Sequence, residues 1–451
     1  MVLDKNKRGS FSGKLGFVLA AAGASVGLGN IWRFPYLCAS YGGGVFLLVY
    51  IILAVTFGYT MIIAETSIGR ATHKSPVGAF AALSDSKLVR LGGWINAIIP
   101  ILIVPYYSVI GGWVCKYLFA YFSEDVNAIA ADDYFGNFIT DGAQSELWFI
   151  VFAILVLTVI FMGVKNGIER VSRVMMPILV VLAVLICIYS ISRPGAMLGV
   201  KYCFVPNFKN FSWMAVVSAM GQMFYSLSIA MGILITFGSY VKKEVSIEDS
   251  TRQVEFFDTA IAILASLMII PAVFAFSGGE PESLNAGPGL MFNTMPKIFA
   301  SMGFGRIIGI LFFVLVLFAA LTSAIALLES AVSTFNDELK LSRNKGTILM
   351  GIIMIILGSL SSLGYGPLAN VTIIGKQFLD FFDFLTNSIM MPIAALFICG
   401  LVSFHMGIDE VEKEVTYGGH PFRRKKIFGF MIKYVCPIFI VIILVSSIVN
   451  A

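Results

Sequence analysis

Charge is scarce in this chain. Asp, Glu, Lys and Arg make up 13% of its 451 residues, while 58% are hydrophobic. A soluble domain carries about a quarter charged residues, so this apolar excess must face something other than water. The formal net charge is only +5. A chain too polar to fold and a basic tail for nucleic acid are therefore both excluded. Histidine is rarer still, with His73, His405 and His420 the only three. Six cysteines (Cys38, Cys115, Cys187, Cys203, Cys399 and Cys436) stand singly with no CxxC spacing. Neither a structural metal site nor a disulfide framework is indicated. HExxH and the phosphate-cradling GxxxxGK[ST] loop are absent, which removes zinc peptidases and nucleotide-driven pumps. Gly23-Ala24-Ser25-Val26-Gly27 matches GxSxG, but a nucleophile elbow needs a preceding strand and a partner histidine. Here it lies in an apolar helical run, so no enzyme is expected.

What the chain does have is long apolar runs, and its mean hydropathy is +0.90. Runs occur at 15–40, 44–68, 92–121, 147–163, 173–191, 213–240, 256–277, 305–335, 347–363, 378–402 and 427–449. Each approaches the ~20 residues that cross a bilayer, so the fold class is an all-α polytopic membrane protein with eleven spans. No cleavable signal pattern precedes the first run. Basic residues sort the loops. Lys5, Lys7, Arg8 and Lys14 share a side with Arg70, Lys74, Lys87 and Arg90, with Lys165, Arg170 and Arg173, and with Lys242, Lys243 and Arg252. Lys340, Arg343, Lys345 and the run Arg423-Arg424-Lys425-Lys426 follow on that side, whereas Glu124, Asp125, Asp132, Asp133 and Asp141 crowd the other. The positive side is cytoplasmic, which predicts a plasma or inner membrane protein with a cytoplasmic N-terminus and an outside C-terminus.

Two spans are interrupted. The first carries Gly23, Gly27 and Gly29 followed by Asn30 and Arg33, and the sixth carries Gln222, Ser226, Ser228 and Gly232. Glycine weakens a helix by ~1 kcal/mol against alanine, and buried polar groups cost more unless satisfied. Irregular backbone at membrane depth is tolerated where it lines a cavity. Breaks at corresponding places in two halves point to a transporter binding site. Spans one and six stand five apart, as two inverted five-helix repeats require. The competing reading is close packing through a small-xxx-small motif, which Gly23 and Gly27 fit. It leaves Asn30, Arg33 and Ser226 unexplained.

The stretch from Gly23 to Pro35 (GASVGLGNIWRFP) resembles the first-span signature of the neurotransmitter:sodium symporter family. Gly42-Gly43-Gly44, Gly163 to Arg170 (GVKNGIER), Phe318 to Ser323 (FAALTS) and Asp337 to Leu341 (DELKL) resemble further landmarks, and the likeness runs from Arg8 to the last span. The nearest subgroup is the bacterial amino-acid transporters of eleven spans. The resemblance implies a 5+5 inverted-repeat core with an eleventh helix. Its segments are an N-terminal piece 1–12, a first repeat 13–191, an outer loop 192–212, a second repeat 213–402, an inner loop 403–426 and a last span 427–451. It implies sodium-coupled symport of an amino acid by alternating access.

By the same resemblance, one sodium site draws on the Ser25 carbonyl, Asn30, Ser226, Asp258 and the substrate carboxylate. The other draws on the carbonyls of Gly23, Val26 and Ala319 with the hydroxyls of Thr322 and Ser323. Sodium prefers oxygen, and such sites use unwound-helix carbonyls with hydroxyl, amide and carboxylate groups. Thr322 and Ser323 could instead simply bond back to their own helix. Chloride-dependent relatives have asparagine where this chain has Asp258, and serine where it has Ala262. A buried carboxylate balances the sodium charge itself, so chloride independence is expected; the alternative leaves Asp258 beside Glu255 facing solvent.

Relatives that carry monoamines place an aspartate where Gly27 stands. Glycine leaves room for a substrate carboxylate, met by the amides of Leu28 and Gly29 and by the Tyr107 hydroxyl. The amine meets carbonyls near Ser25, Tyr225 and Ser228. Ile103, Tyr225, Met231 and Leu327 match the side-chain pocket, and a flexible methionine suits large apolar or aromatic amino acids. The rivals are a small amino acid, a GABA-like solute or an osmolyte, and a sensor that binds without transporting. Arg33 with Asp383 (or Asp380) forms the outer gate, and Arg8 with Asp337 near Tyr240 the inner one. Glu65 braces the broken helices through hydrogen bonds. Beyond sodium, substrate and lipid, no organic cofactor, nucleic acid or protein partner is expected.

Overall fold

The computed structural model describes residues 9–278 and 287–449. Among the described residues there are helices and loops but no strand; the sheet-like pairings are the isolated bridges Gly43–Pro206 and Ile373–Lys376. In a bilayer this is what the backbone demands, because helices satisfy their own N–H and C=O groups.

In chain order the spanning helices are α1 (Lys14–Ser25), α2 (Gly29–Ser40), α3 (Gly44–Thr72), α4 (Lys87–Ser123), α5 (Gly142–Phe161) and α6 (Val164–Ile191). They continue as α7 (Trp213–Ser226), α8 (Ile233–Gly238), α9 (Ile247–Ser277), α10 (Gly305–Glu338), α11 (Arg343–Leu363), α12 (Phe378–Met406) and α13 (Lys425–Val449). Among the described residues nine of these are singly long and apolar enough to cross, and α1 with α2 makes a tenth span bent by 55°. Helices α7 and α8 are each too short alone; end to end they supply the eleventh. The chain is a multi-pass membrane protein.

Burial separates core from periphery. The apolar stretch of α4 is 83% buried within the protein and that of α10 72%, against 33% for α5 and α13. Helix α4 packs along α10, and α1 lies between α9 and α10. Several helices outlast their apolar runs. Helix α9 starts at Ile247 rather than 256 because Ser246 caps it, its hydroxyl accepting from the Asp249 amide at 3.2 Å. Helix α12 reaches Met406, so the first residues of the segment 403–426 are helical. The connecting segments also hold structure. Helix Ala196–Phe204 straps the end of α2 through Tyr202, whose hydroxyl donates to the Ala39 carbonyl at 2.5 Å. Helix Ile408–Thr416 is pinned by Arg70, which pairs with Glu414 at 3.0 Å.

Candidate functional site

The first break falls where the glycines lie. Helix α1 ends as Val26 turns extended (φ −77°, ψ 93°), and the Gly27 amide, freed from helical bonding, donates to Asn30 Oδ1 at 3.1 Å. The second break runs from Leu227 to Gly232 and includes left-handed backbone at Ser228 (φ 53°) and Ala230 (φ 59°). That conformation costs a non-glycine residue about 1–2 kcal/mol. Two contacts hold it. The buried Glu65 carboxylate accepts from the Ala230 amide at 2.7 Å, and Ser228 donates its hydroxyl to the Ala24 carbonyl at 3.0 Å. Glu65 therefore braces the α7–α8 break; its other oxygen has no hydrogen-bond partner among the described residues. The breaks meet each other, since Gln222 Nε2 also donates to the Gly29 carbonyl at 3.0 Å.

Between them lies a small cavity of about 20 Å³. Ser25, Leu28 and Gly29 line it from the first break, Ile103 and Tyr107 from α4, and Ser323 and Leu327 from α10. Tyr225, Ser226, Ser228 and Met231 complete the wall from the second break. Every residue named from sequence for the substrate is thus on one surface. Tyr107 is 3% exposed, and its hydroxyl oxygen accepts from the Leu28 amide at 3.4 Å. Gly27 is fixed by crowding: a Cβ there would sit 2.7 Å from Ser323 Oγ and 3.2 Å from the Tyr107 hydroxyl. Gly23 is packed as well, its Cβ position 3.1 Å from Thr322. The close-packing reading and the broken-helix reading therefore both hold for these glycines.

Two oxygen clusters flank the cavity. In the first, Asn30 Nδ2 donates to Ser226 Oγ and to Asp258 Oδ1, both at 2.8 Å, and Ser226 Oγ donates to the same Asp258 oxygen at 2.7 Å. Asp258 is fully buried, so the solvent-facing alternative fails. Its second oxygen accepts from Tyr50 at 2.8 Å. Tyr50 escaped sequence reasoning, because a tyrosine inside an apolar run reads as core. Ser25 Oγ bonds back to the Ala21 carbonyl at 3.0 Å, which leaves its carbonyl as the group it can offer.

The second cluster is neutral. Ser323 Oγ reaches across to the carbonyls of Gly23 (3.3 Å), Ala24 (3.1 Å) and Val26 (3.4 Å). Thr322 Oγ bonds back to Phe318 and Ala319 carbonyls at 2.9 and 3.2 Å, as the helix-internal alternative had it. Ser323 does not follow that alternative.

The two ends of the bundle differ. Opposite the N-terminus a vestibule of about 500 Å³ leads toward the cavity, lined by Arg33, Tyr106, Tyr225, Asp380 and Asp383 among others. Arg33 and Asp383 form no ion pair within 4.0 Å: the guanidinium lies 5.7 Å over the Tyr225 ring, while Asp383 accepts from Asn387 at 2.6 Å and Tyr106 at 3.3 Å. Asp380 accepts from Tyr365 at 3.0 Å. The N-terminal end is sealed. Phe11 is buried against Phe17, Phe237 and Tyr240, and its amide donates to the Tyr240 carbonyl at 3.1 Å. Tyr240 donates to Glu329 at 2.7 Å, and Arg343 pairs with Glu329 at 2.5 Å, a link the sequence did not suggest. Asp337 accepts from the Ser75 amide at 2.7 Å. Arg8 lies outside the described residues.

The family model for the sodium:neurotransmitter symporter family matches residues 8–135 and 121–451. An uncharacterised sodium-dependent transporter of Bacillus subtilis is 33% identical over 452 residues, covering 99% of both chains. A sodium- and chloride-dependent GABA transporter of Drosophila melanogaster is 28% identical over 74% of this chain and 40% of its own. The crystal structure of MhsT in complex with L-phenylalanine superposes with a TM-score of 0.87 at 36% identity, covering 98% of this chain and all of that one.

Proposed function

The chain belongs to the sodium:neurotransmitter symporter family and is a sodium-dependent symporter, and from that premise we propose that it carries large apolar or aromatic amino acids independently of chloride. The observation that carries the substrate class is the cavity between the breaks. One side offers the Leu28 amide and Tyr107 hydroxyl, donors suited to a carboxylate. The other side is apolar, built of Ile103, Tyr225, Met231 and Leu327. The bound L-phenylalanine of the MhsT structure supports the same class.

Sodium enters as cargo. The first cluster has the oxygen chemistry for one ion: the Ser25 carbonyl, Asn30, Ser226 and Asp258. The second has it for another: the carbonyls of Gly23, Val26 and Ala319 with Thr322 and Ser323. We assign two ions on that basis. Asp258 supplies a fixed negative charge beside the first, so an external anion has no balancing role there. Ions that order the two breaks also complete the substrate cavity, and each therefore raises the affinity of the other reciprocally.

Arg33 with Asp383 and the sealed end around Phe11, Tyr240, Glu329 and Asp337 act as the alternating gates, with Arg8 joining Asp337 in the closed inner gate. With the N-terminus cytoplasmic, as the basic loops require, the open vestibule faces outward. Spans one to five and six to ten form the two inverted halves. The test is flux of labelled phenylalanine, leucine, alanine, glycine and GABA into proteoliposomes. Uptake should need a sodium gradient, persist when gluconate replaces chloride, and be competed best by the large apolar compounds. Competition by glycine or GABA alone overturns the substrate class. Saturable binding without sodium-driven accumulation makes the protein a sensor instead.

A further inference from the structure

A separate cavity of about 580 Å³ opens at the N-terminal end of the bundle, between α1, α3, α9 and the chain entering α13. It takes no part in the site described above. Its walls are charged at the depth where spans end, with Lys14, Arg252 and Arg424 facing Asp249 and Glu255. Both carboxylates are already matched, Asp249 to Arg423 at 3.0 Å and Glu255 to Arg424 at 3.8 Å. Arg424 is further committed to the Val55 carbonyl at 3.1 Å and to the face of Tyr59, its guanidinium carbon 4.8 Å from the ring centre. Lys14 and Arg252 make no ion pair within 4.0 Å among the described residues. The charged residues lining the recess are three cations against two carboxylates, an excess of one positive charge.

The recess is not simply polar. Ile51 is exposed on α3 and Phe256 is 70% exposed on α9, both lining the cavity on the outer faces of apolar spans. Acyl chains are the medium such side chains meet. A small soluble anion would use the charges and have no use for the apolar wall. We propose that this cavity binds one anionic phospholipid, its phosphodiester held by Lys14 and Arg252 and a chain lying along Ile51 and Phe256. Lys14 belongs to α1 and Arg252 to α9, so one headgroup ties the two helices together at the sealed end of the bundle. The lipid thereby favours the state in which that end is closed.

The experiment uses the purified full chain and counts lipids retained on release from phosphatidylglycerol or phosphatidylcholine nanodiscs, by native mass spectrometry. The wild type should keep one phosphatidylglycerol and no phosphatidylcholine. Two basic residues near an anionic headgroup contribute about thirty-fold in affinity together, so the double variant Lys14→Ala with Arg252→Ala should lose retention by that order. The charge-conserving pair Lys14→Arg with Arg252→Lys should retain the lipid as the wild type does, which separates charge from damage to the fold. Equal retention by the alanine variant, equal retention of phosphatidylcholine, or loss in the charge-conserving pair overturns the proposal. Displacement of the lipid by excess inorganic phosphate also overturns it, in favour of a soluble anion.

Discussion

The two oxygen clusters beside the cavity are assembled from different chemistry. One is centred on Asp258, a buried carboxylate whose oxygens take hydrogen bonds from Asn30, Ser226 and Tyr50. The other is made of backbone carbonyls of the first break and the hydroxyls of Thr322 and Ser323, with no formal charge. A buried ion is tolerated when paired, and removing its partner is far more costly than removing one of several neutral dipoles. The difference teaches where each cluster is fragile. The charged one depends on a single residue, and the neutral one spreads its load.

Removing that residue is the most severe way to break the contrast. Asp258→Ala should lower sodium-driven uptake in proteoliposomes by about a hundred-fold or more, the cost of deleting one partner of a buried ionic site. Uptake within a few-fold of wild type would mean that the charge is not used. The sharper version is Asp258→Asn, which keeps the shape and removes the charge. Its uptake should fail in gluconate and return when chloride is restored; an indifferent response removes the charge-balance argument.

On the neutral side, Ser323→Ala deletes a hydroxyl that touches three carbonyls. One lost hydrogen-bonding group of about 1–1.5 kcal/mol corresponds to roughly a ten-fold rise in the sodium concentration for half-maximal uptake. Gly27→Ala places a methyl against the same hydroxyl. It should weaken substrate binding, and Ser323→Ala in that background should recover part of the loss in a double-mutant cycle. Additive effects would mean that the crowding is relieved elsewhere. Tyr50→Phe is the mildest test, expected to cost about five-fold in sodium affinity because two other donors still hold Asp258. A loss as large as that of Asp258→Ala would move Tyr50 from support to principal.

How much of this was legible in the sequence varies with the kind of signal. Glycines and buried polar residues interrupting an apolar run mark the two breaks directly, whereas Ile103, Tyr107, Met231, Ser323 and Leu327 are legible only through the resemblance to the family. Tyr50 was missed because its partner stands 208 positions away and nothing local marks its hydroxyl. The Glu329–Arg343–Tyr240 link was missed for a similar reason: each residue alone reads as a span-end charge or aromatic. Span ends were set too short where capped polar turns extend a helix past its hydrophobic stretch, as at Ser246 before α9. The halves of the sixth span are individually too short to register by hydropathy, and its polar centre was the better guide.

The amide of Asn30 holds one more consequence. Its nitrogen points at Ser226 and Asp258, standing in for a cation, while its oxygen occupies the Gly27 N–H. A sodium ion entering between those oxygens would repel the nitrogen and turn the amide over. The nitrogen would then face the Gly27 N–H, donor against donor, and the first break would have to shift to relieve it. Ion entry would thus be felt in the backbone of the break through the half-turn of one side chain.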